Sequence, residues 1–303
     1  MKLLPVQTSR IEPGDDLEHI LRDALQMTNG KLQADDILVI SSKAVATAEG
    51  RIVDLSSLTP SEEAKTLSKQ CGRSPEFCEA VLEETKKRNG IVKGTCPGAI
   101  LTELKPWGAS IDSPDHLSTR PGAPGLAREE CGTILTANAG LDESNTRQGT
   151  AVGWPEDPVK SAMILRSGFE EFVGARRWRA LWKNILIPGA AARHPYTRPC
   201  LAVIVTDSCV RPRRWGVTAF ALAVAGIDPL RDEAGREDLF GRKLRITKEA
   251  IADQLATAAN MLMGNADQSI PAVIIRNHGF TLSDFAGWVP GIEPEEDLFN
   301  GVI

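Results

Sequence analysis

Asp207 closes an apolar run, Cys200-Leu-Ala-Val-Ile-Val-Thr206, and is followed by the hydroxyl of Ser208 and the cations Arg211, Arg213 and Arg214. A carboxylate at the C-terminal end of a buried strand commonly faces a ligand. Asp142 lies in a second segment rich in oxygen-bearing side chains, with Asn138, Ser144 and Asn145. Carboxylates with hydroxyl and amide oxygens suit Mg²⁺ or Mn²⁺, and Mg²⁺ typically takes one or two carboxylates together with nucleotide phosphates. Nearby arginines would clamp phosphate or carboxylate oxygens. Taken together, the two segments point to metal-nucleotide chemistry. They read equally well as two turn-capping aspartates beside a solvated basic surface, and composition leaves the two readings level.

Other chemistries are poorly represented. The chain has no GxxxxGK[ST], no HExxH, no GxSxG and no Cys/His cluster at zinc spacing. His19, His116, His194 and His278 lie far apart, and His19 reads as a surface residue beside an apolar helical stripe. Cys71 and Cys78, two helical turns apart, read as packing residues. The basic run Arg176-Arg-Trp-Arg179 with Trp182 could stack on RNA. However, 35 Lys+Arg against 40 Asp+Glu, a net charge of −5, argue against a nucleic-acid partner and favour a helix face or dimer contact. Six cysteines without a CxxC pair or secretory leader are expected to be reduced thiols of a cytoplasmic protein. No apolar run approaches the ~18 residues of a membrane span.

These residues need elements to position them, and a chain of 303 residues is long enough for one large core or two modest ones. Asp15 is expected to cap a first helix, with Glu18 at the capping-box position and Leu17, Ile20, Leu21, Ala24 and Leu25 as its stripe. The run Ile37-Leu-Val-Ile40 predicts a strand buried on both faces. Thr59-Pro-Ser-Glu62 and Ser74-Pro-Glu76 both read as helix starts with proline in the first helical position. Further helices are expected over Asp157–Glu171 and Lys248–Met263, the latter stopped by Gly264, and further strands at Ile134–Thr136 and Ile270–Ile275. Between about Thr102 and Thr133 the pattern dissolves into Pro, Gly and Ser, and no structure is assigned there.

An ordered set of segments resembles the coenzyme F420-0:L-glutamate ligase (F420-0:γ-glutamyl ligase) family. It runs from Pro13-Gly-Asp-Asp16 through Val39-Ile-Ser-Ser-Lys43, Ala48-Glu-Gly-Arg51 and Val81-Leu-Glu-Glu84. It continues with Asn138–Asn145, Trp154-Pro-Glu-Asp-Pro158, Val205-Thr-Asp-Ser208 and Arg211-Pro212. The longest stretch is Ala225–Asp232, Asp238-Leu-Phe-Gly-Arg242, Ala252-Asp253 and Met261-Leu-Met-Gly264. The resemblance implies an α+β fold of mixed β-sheets flanked by helices. It implies one domain over residues 1–303, in one or two lobes, with insertions near 103–133 and 175–199, and a homodimer.

The resemblance also implies a ligase that uses GTP and Mg²⁺ or Mn²⁺ to join L-glutamate to a carboxylate-bearing small molecule, F420-0, through an acyl phosphate. Position by position it makes Asp142, Asp207, Ser208 and Asn265 metal residues, with Asp142, Asp207 and Arg211 catalytic. It places nucleotide contacts at Thr8, Ile11, Ser42, Lys43, Thr47, Asn145, Met263, Gly264, Asn265 and Ile270. The two aspartates are expected to share one metal centre. Three departures stand out. Thr47 replaces a lysine, Val210 replaces a glycine, and Met263–Ile270 lacks the extra glycines common there. They leave open ligation to another acceptor, such as a folate or a specialised metabolite, or a degenerate nucleotide-binding relative.

Overall fold

The structure, a computed structural model, describes residues 1–27, 31–105, 132–173 and 200–301. Its strands are β1 (Lys2–Val6), β2 (Asp36–Ser41), β3 (Ile52–Asp54), β4 (Ile91–Cys96), β5 (Ala99–Leu104), β6 (Ile134–Ala137) and β7 (Thr150–Val152). They continue with β8 (Leu201–Val210), β9 (Val217–Ala225), β10 (Arg231–Asp232), β11 (Lys248–Glu249), β12 (Ala272–Arg276) and β13 (Ala286–Trp288). Six α-helices occur among the described residues: α1 (Leu17–Met27), α2 (Ser42–Ala48), α3 (Glu62–Cys71), α4 (Pro75–Lys87), α5 (Pro158–Phe172) and α6 (Ile251–Met263). The fold is α+β, with mixed sheets, as the sequence leads one to expect. It divides into two units, Met1–Gly50 with Pro158–Val289, and Arg51–Asp157 with Pro290–Ile303.

The first unit is built on a six-stranded sheet ordered β1-β12-β2-β8-β9-β13. Ile37–Ile40 is its doubly buried run, as its unbroken apolar composition predicts. β2 pairs parallel to β8 and antiparallel to β12, which is in turn antiparallel to β1, so β1, β2 and β8 run the same way. One face carries Ile37, Val39, Ala202, Ile204, Val273 and Ile275 against the Ile251, Leu255 and Ala259 stripe of α6. Strand alternation sends Val203 and Val205 to the other face, where they are equally buried and α5 packs through Leu165 and Phe169. Arg22 of α1 donates to the Gly168 carbonyl at 2.7 Å and lies over the Phe172 ring, joining α1 to α5.

The second unit holds the antiparallel sheet β4-β5-β6, the β3-β7 pair and the helices α3 and α4. Ser74 caps α4 by accepting from the Phe77 N–H at 3.1 Å, with Pro75 in the first turn, as its spacing predicts. Loss of that cap in Ser74→Ala should lower stability by about 1 kcal/mol, read from chemical denaturation.

Several local expectations shift by a residue or a turn. The cap of α1 is Asp16, which accepts from the His19 N–H at 3.0 Å, while Asp15 accepts from Glu12. Glu18 therefore misses the capping-box position and pairs with Arg22 at 2.5 Å. α3 starts two residues later than Pro60 in the first helical position implies, because Ser61 is its cap and accepts from the Ala64 N–H. α6 starts at Ile251, since Lys248–Glu249 is drawn into a ladder with Arg231–Asp232. Cys71 and Cys78 are buried with sulfurs 3.8 Å apart, but on two helices, because Gly72 closes α3 in the left-handed conformation. Burial pushes the Cys78 thiol up to about 12, which suits a packing role. The basic run Arg176–Arg179, Trp182, His116 and His194 lie outside the described residues, as do most of the two expected insertions. No helix among the described residues is long and apolar enough to cross a membrane.

Candidate functional site

One end of the six-stranded sheet gathers most of the residues singled out from sequence. Its co-directional strands β1, β2 and β8 all lead to that end, the location at which open sheets commonly bind ligands. Val6 pairs with Ala272 and the Thr8 N–H donates to the Ser269 carbonyl at 3.1 Å, so the N-terminal loop meets the 264–271 loop. The Ser41 N–H donates to the Pro271 carbonyl at 2.9 Å, and Ser41 pairs with Thr206. Thr8, Ser42, Lys43, Asp207, Ser208 and Ile270 are thereby brought to the same edge. Ile11 follows in the same N-terminal loop, half-buried. That loop is tied to α2 where the Gly14 N–H donates to the Ala48 carbonyl at 3.0 Å.

Ser42, buried, and Lys43 open α2 directly after β2. Thr47 stands four residues beyond Lys43, so both side chains lie along one helix face. The cation missing at Thr47 thus has Lys43 as its helical neighbour. At the far end of α6, Gly264 takes φ 67°, and a side chain there would meet the Gln268 amide. Met263 is buried and Asn265 exposed. Gln268 accepts from the Ala266 N–H at 2.9 Å and folds the loop back. Ser269 adopts φ 52° without the glycine that would relieve it.

Asp207 does not end its strand. β8 runs on to Val210, pairing Asp207 with Phe220 and Ser208 with Ala219, because β9 continues the ladder after β2 has stopped. Asp207 is half-buried and its Oδ1 accepts from the Ser208 N–H at 2.8 Å. Val210 pairs with Val217 in an ordinary ladder, so the glycine it replaces is not needed for a left-handed conformation. Those conformations fall instead on Arg213 and Gly216 in the turn. Arg211 lies at the start of that turn, exposed, and its charge acts on Cys209 and on Asp253 of α6. Burial raises the pKa of both groups, against the pull of Arg211.

Asp142 and Asn145 belong to the second unit. Asp142 is held by a backbone bridge to Val152, and its carboxylate accepts from the Ser144 N–H at 2.8 Å and from its hydroxyl at 2.6 Å. Asn138 is engaged elsewhere: its side-chain oxygen accepts from the Ile100 N–H at 2.9 Å and fixes the start of β5. Asn145 is exposed with φ 56°. Arg73 pairs with Glu143 while stacking on Phe77, which anchors the Asp142 loop to α4.

The donor chemistry fits a hard divalent cation only if phosphates or water complete its shell. Asp207 and Ser208 offer a carboxylate and a hydroxyl at successive positions of β8, whose alternation turns them to opposite faces, and no group of three His, Cys, Asp or Glu that could hold an ion occurs among the described residues. Mg²⁺ and Mn²⁺ accept such sparse oxygen sets, and a zinc cage would not. Asp253 enters the sequence reading only as part of the resembling segment Ala252-Asp253, with no role, and Thr257 is not singled out at all. They form a polar i, i+4 pair on a helix whose other polar residues are Gln254 and Asn260, so the pattern alone does not single them out.

The chain matches the family described as F420-0:Gamma-glutamyl ligase over residues 5–177 and 195–277. It is 32% identical to the Coenzyme F420:L-glutamate ligase of Methanopyrus kandleri over 302 residues, covering 99% of this chain and 91% of that one. The enzyme of the same name from Methanothermobacter thermautotrophicus is 33% identical over 291 residues, 95% of this chain and 94% of its own. That of Archaeoglobus fulgidus is 32% identical over 266 residues, or 88% and 83%.

Proposed function

Because the chain belongs to the F420-0:γ-glutamyl ligase family, and so is a ligase that forms carbon–nitrogen bonds, we propose that it joins L-glutamate to a carboxylate of coenzyme F420-0 with GTP as co-substrate. The observation that carries this reading is the gathering of Thr8, Ser42, Lys43, Asp207, Ser208 and Ile270 at one sheet end, in a chain similar to those enzymes along nearly its whole length.

A carboxylate is a poor electrophile until phosphorylation turns one of its oxygens into part of a good leaving group. In the proposed reaction the γ-phosphoryl group passes to the F420-0 carboxylate with release of GDP. The glutamate amine then attacks the acyl carbon, loses a proton and expels phosphate. Thr8, Ser42 and Lys43 hold the phosphate chain, with Thr47, Ile11, Asn145, Met263, Gly264, Asn265 and Ile270 completing the nucleotide contacts. Arg211 neutralises the transferring phosphoryl oxygens. Asp142, Asp207, Ser208 and Asn265 would hold Mg²⁺ or Mn²⁺, which when bound would offset charge gathering on those oxygens. The active species is a homodimer in the cytoplasm.

The test is a product balance. GDP and phosphate should form one-for-one only when glutamate, F420-0 and a divalent ion are all present. With ¹⁸O in the acceptor carboxylate, one label should leave in the phosphate. Nucleotide hydrolysis indifferent to acceptor and glutamate would contradict the reading.

Thr47 gives a sharper expectation. A lysine reaching a phosphate contributes on the order of 1–3 kcal/mol, so Thr47→Lys should tighten GTP binding about tenfold or more by calorimetry. Unchanged affinity would mean that Lys43, on the same helix face, already fills the role.

A further inference from the structure

Among the described residues, the part of β8 that carries Asp207 and Ser208 pairs with a strand on one side only. Its parallel partner β2 stops at Ser41, opposite Thr206, and β13 pairs with β9 only over Ala223–Ala225. Beyond those points the ladder consists, among the described residues, of β8 and β9.

The register changes at the same place. Val205 pairs with Ala223 but Thr206 pairs with Ala221, which leaves Leu222 as an extra residue in β9. The core shows the consequence directly: Val224, then Ala221 and Ala219, all face α6, a change of parity that only the extra residue allows. Bulges of this kind bend a strand, increase its twist and re-aim neighbouring side chains. Three backbone groups around the bulge have partners outside the β8–β9 ladder hydrogen bonds. The Leu222 carbonyl accepts from the Val289 N–H at 2.9 Å, and the Phe220 carbonyl accepts from the Thr206 hydroxyl at 2.7 Å. The Ala221 N–H donates to Asp253 Oδ1 at 2.9 Å.

Asp253 lies in the first turn of α6, and one turn later Thr257 donates its hydroxyl to the Ala219 carbonyl at 2.9 Å. Thr257 also meets the Thr218 hydroxyl at 3.0 Å. Two side chains of one helix therefore clip the outer half of β9. Among the described residues, that half is the strand neighbour of Asp207 and Ser208. Asp253 is half-buried, and the desolvation it suffers there raises its pKa, so a neutral alanine or leucine would sit on this helix more cheaply if packing alone mattered.

We propose that Asp253 is a positioning residue for the ligase reaction, which holds the Leu222 bulge through Ala221 and so sets the direction in which Asp207 and Ser208 present their oxygens, with Thr257 as the second clip. The inference rests on the proposed metal-binding role of Asp207 and Ser208. Asp253 touches no substrate. It acts through β9.

The test compares Asp253→Ala, Asp253→Asn and Thr257→Val in the full chain by two readouts. The first is amide exchange over residues 206–221 without any ligand. It should speed up in Asp253→Ala and, to a smaller extent, in Thr257→Val. Exchange in Asp253→Asn should match the unsubstituted chain, because asparagine keeps an oxygen that can accept from Ala221. The second is Mn²⁺ affinity in the presence of GTP, measured by paramagnetic resonance. It should weaken about 10–100-fold in Asp253→Ala and stay near the original in Asp253→Asn, as for partners that orient metal-binding groups. Unchanged exchange and affinity in Asp253→Ala would overturn the proposal. So would an Asp253→Asn variant as impaired as Asp253→Ala, since the charge rather than the bulge contact would then matter. If the unsubstituted chain binds no Mn²⁺, the metal assignment of Asp207 fails on its own. The exchange data still decide whether Asp253 holds the bulge.

Discussion

Asp207→Asn is expected to lower the ligation rate on the order of 10²–10³-fold or more while leaving the fold intact, the loss typical of removing a group that stabilises transition-state charge. The substitution keeps the shape of the side chain, and asparagine can still accept the hydrogen bond from the Ser208 N–H. What disappears is the charge placed where β8 leaves β2 behind. GTP binding that depends on Mn²⁺ should weaken in parallel, and the unfolding midpoint without metal should not fall. Asp142→Asn should behave alike. If the two carboxylates serve one step, the double variant should cost little more than either single one, because groups acting as a unit are not additive. Near-normal turnover in either single variant would remove that residue from the catalytic assignment.

The largest expected effect on stability lies in the second unit. The Arg88 side chain is 1% exposed and donates to Glu84, 10% exposed, at 2.6 Å. Arg51 reaches the same carboxylate at 3.1 Å and also pairs with Glu156, which Lys87 contacts at 2.7 Å. The Arg88 guanidinium lies 5.3 Å from the centre of the Trp154 ring and donates to the Pro155 carbonyl. Burial lowers the pKa of Arg88, and Glu84 opposes that shift by its charge and its hydrogen bond. Glu84→Ala strips the buried cation of its main counter-charge and should cost about 3–5 kcal/mol, measured by urea unfolding. Replacing both partners, as Glu84→Leu with Arg88→Met, should recover most of that loss, since well-packed apolar residues often match a buried ion pair. A small loss in Glu84→Ala would show that Glu156 takes over the role.

The elements that carry strong local patterns were legible in the sequence. Ile37–Ile40 announces a doubly buried strand, Ser74-Pro75 a helix start and Gly264 a helix stop, and each occurs where its residues place it. The sheet-end cluster was legible only through family resemblance, because Thr8, Ser42 and Ile270 are far apart until strand pairing joins them. Three features were not legible. β8 outruns its apolar stretch because pairing with β9, not hydrophobicity, extends it through Asp207 and Ser208. The Asn138 amide looked like a ligand donor, yet it is used to hold a strand start. Glu84 and Arg88, four apart at the end of a helix rich in lysine, have the pattern of a solvated surface pair, and only tertiary burial makes them a core network.

The measurement that tests the central claim most directly is mass spectrometry of F420-0 after incubation with the purified chain, L-glutamate, GTP and Mn²⁺, with a folate offered in parallel. The account predicts a glutamyl amide adduct on F420-0 that is absent when glutamate, GTP or the divalent ion is omitted. An adduct on the folate alone, or bound nucleotide with no adduct on either acceptor, would contradict it.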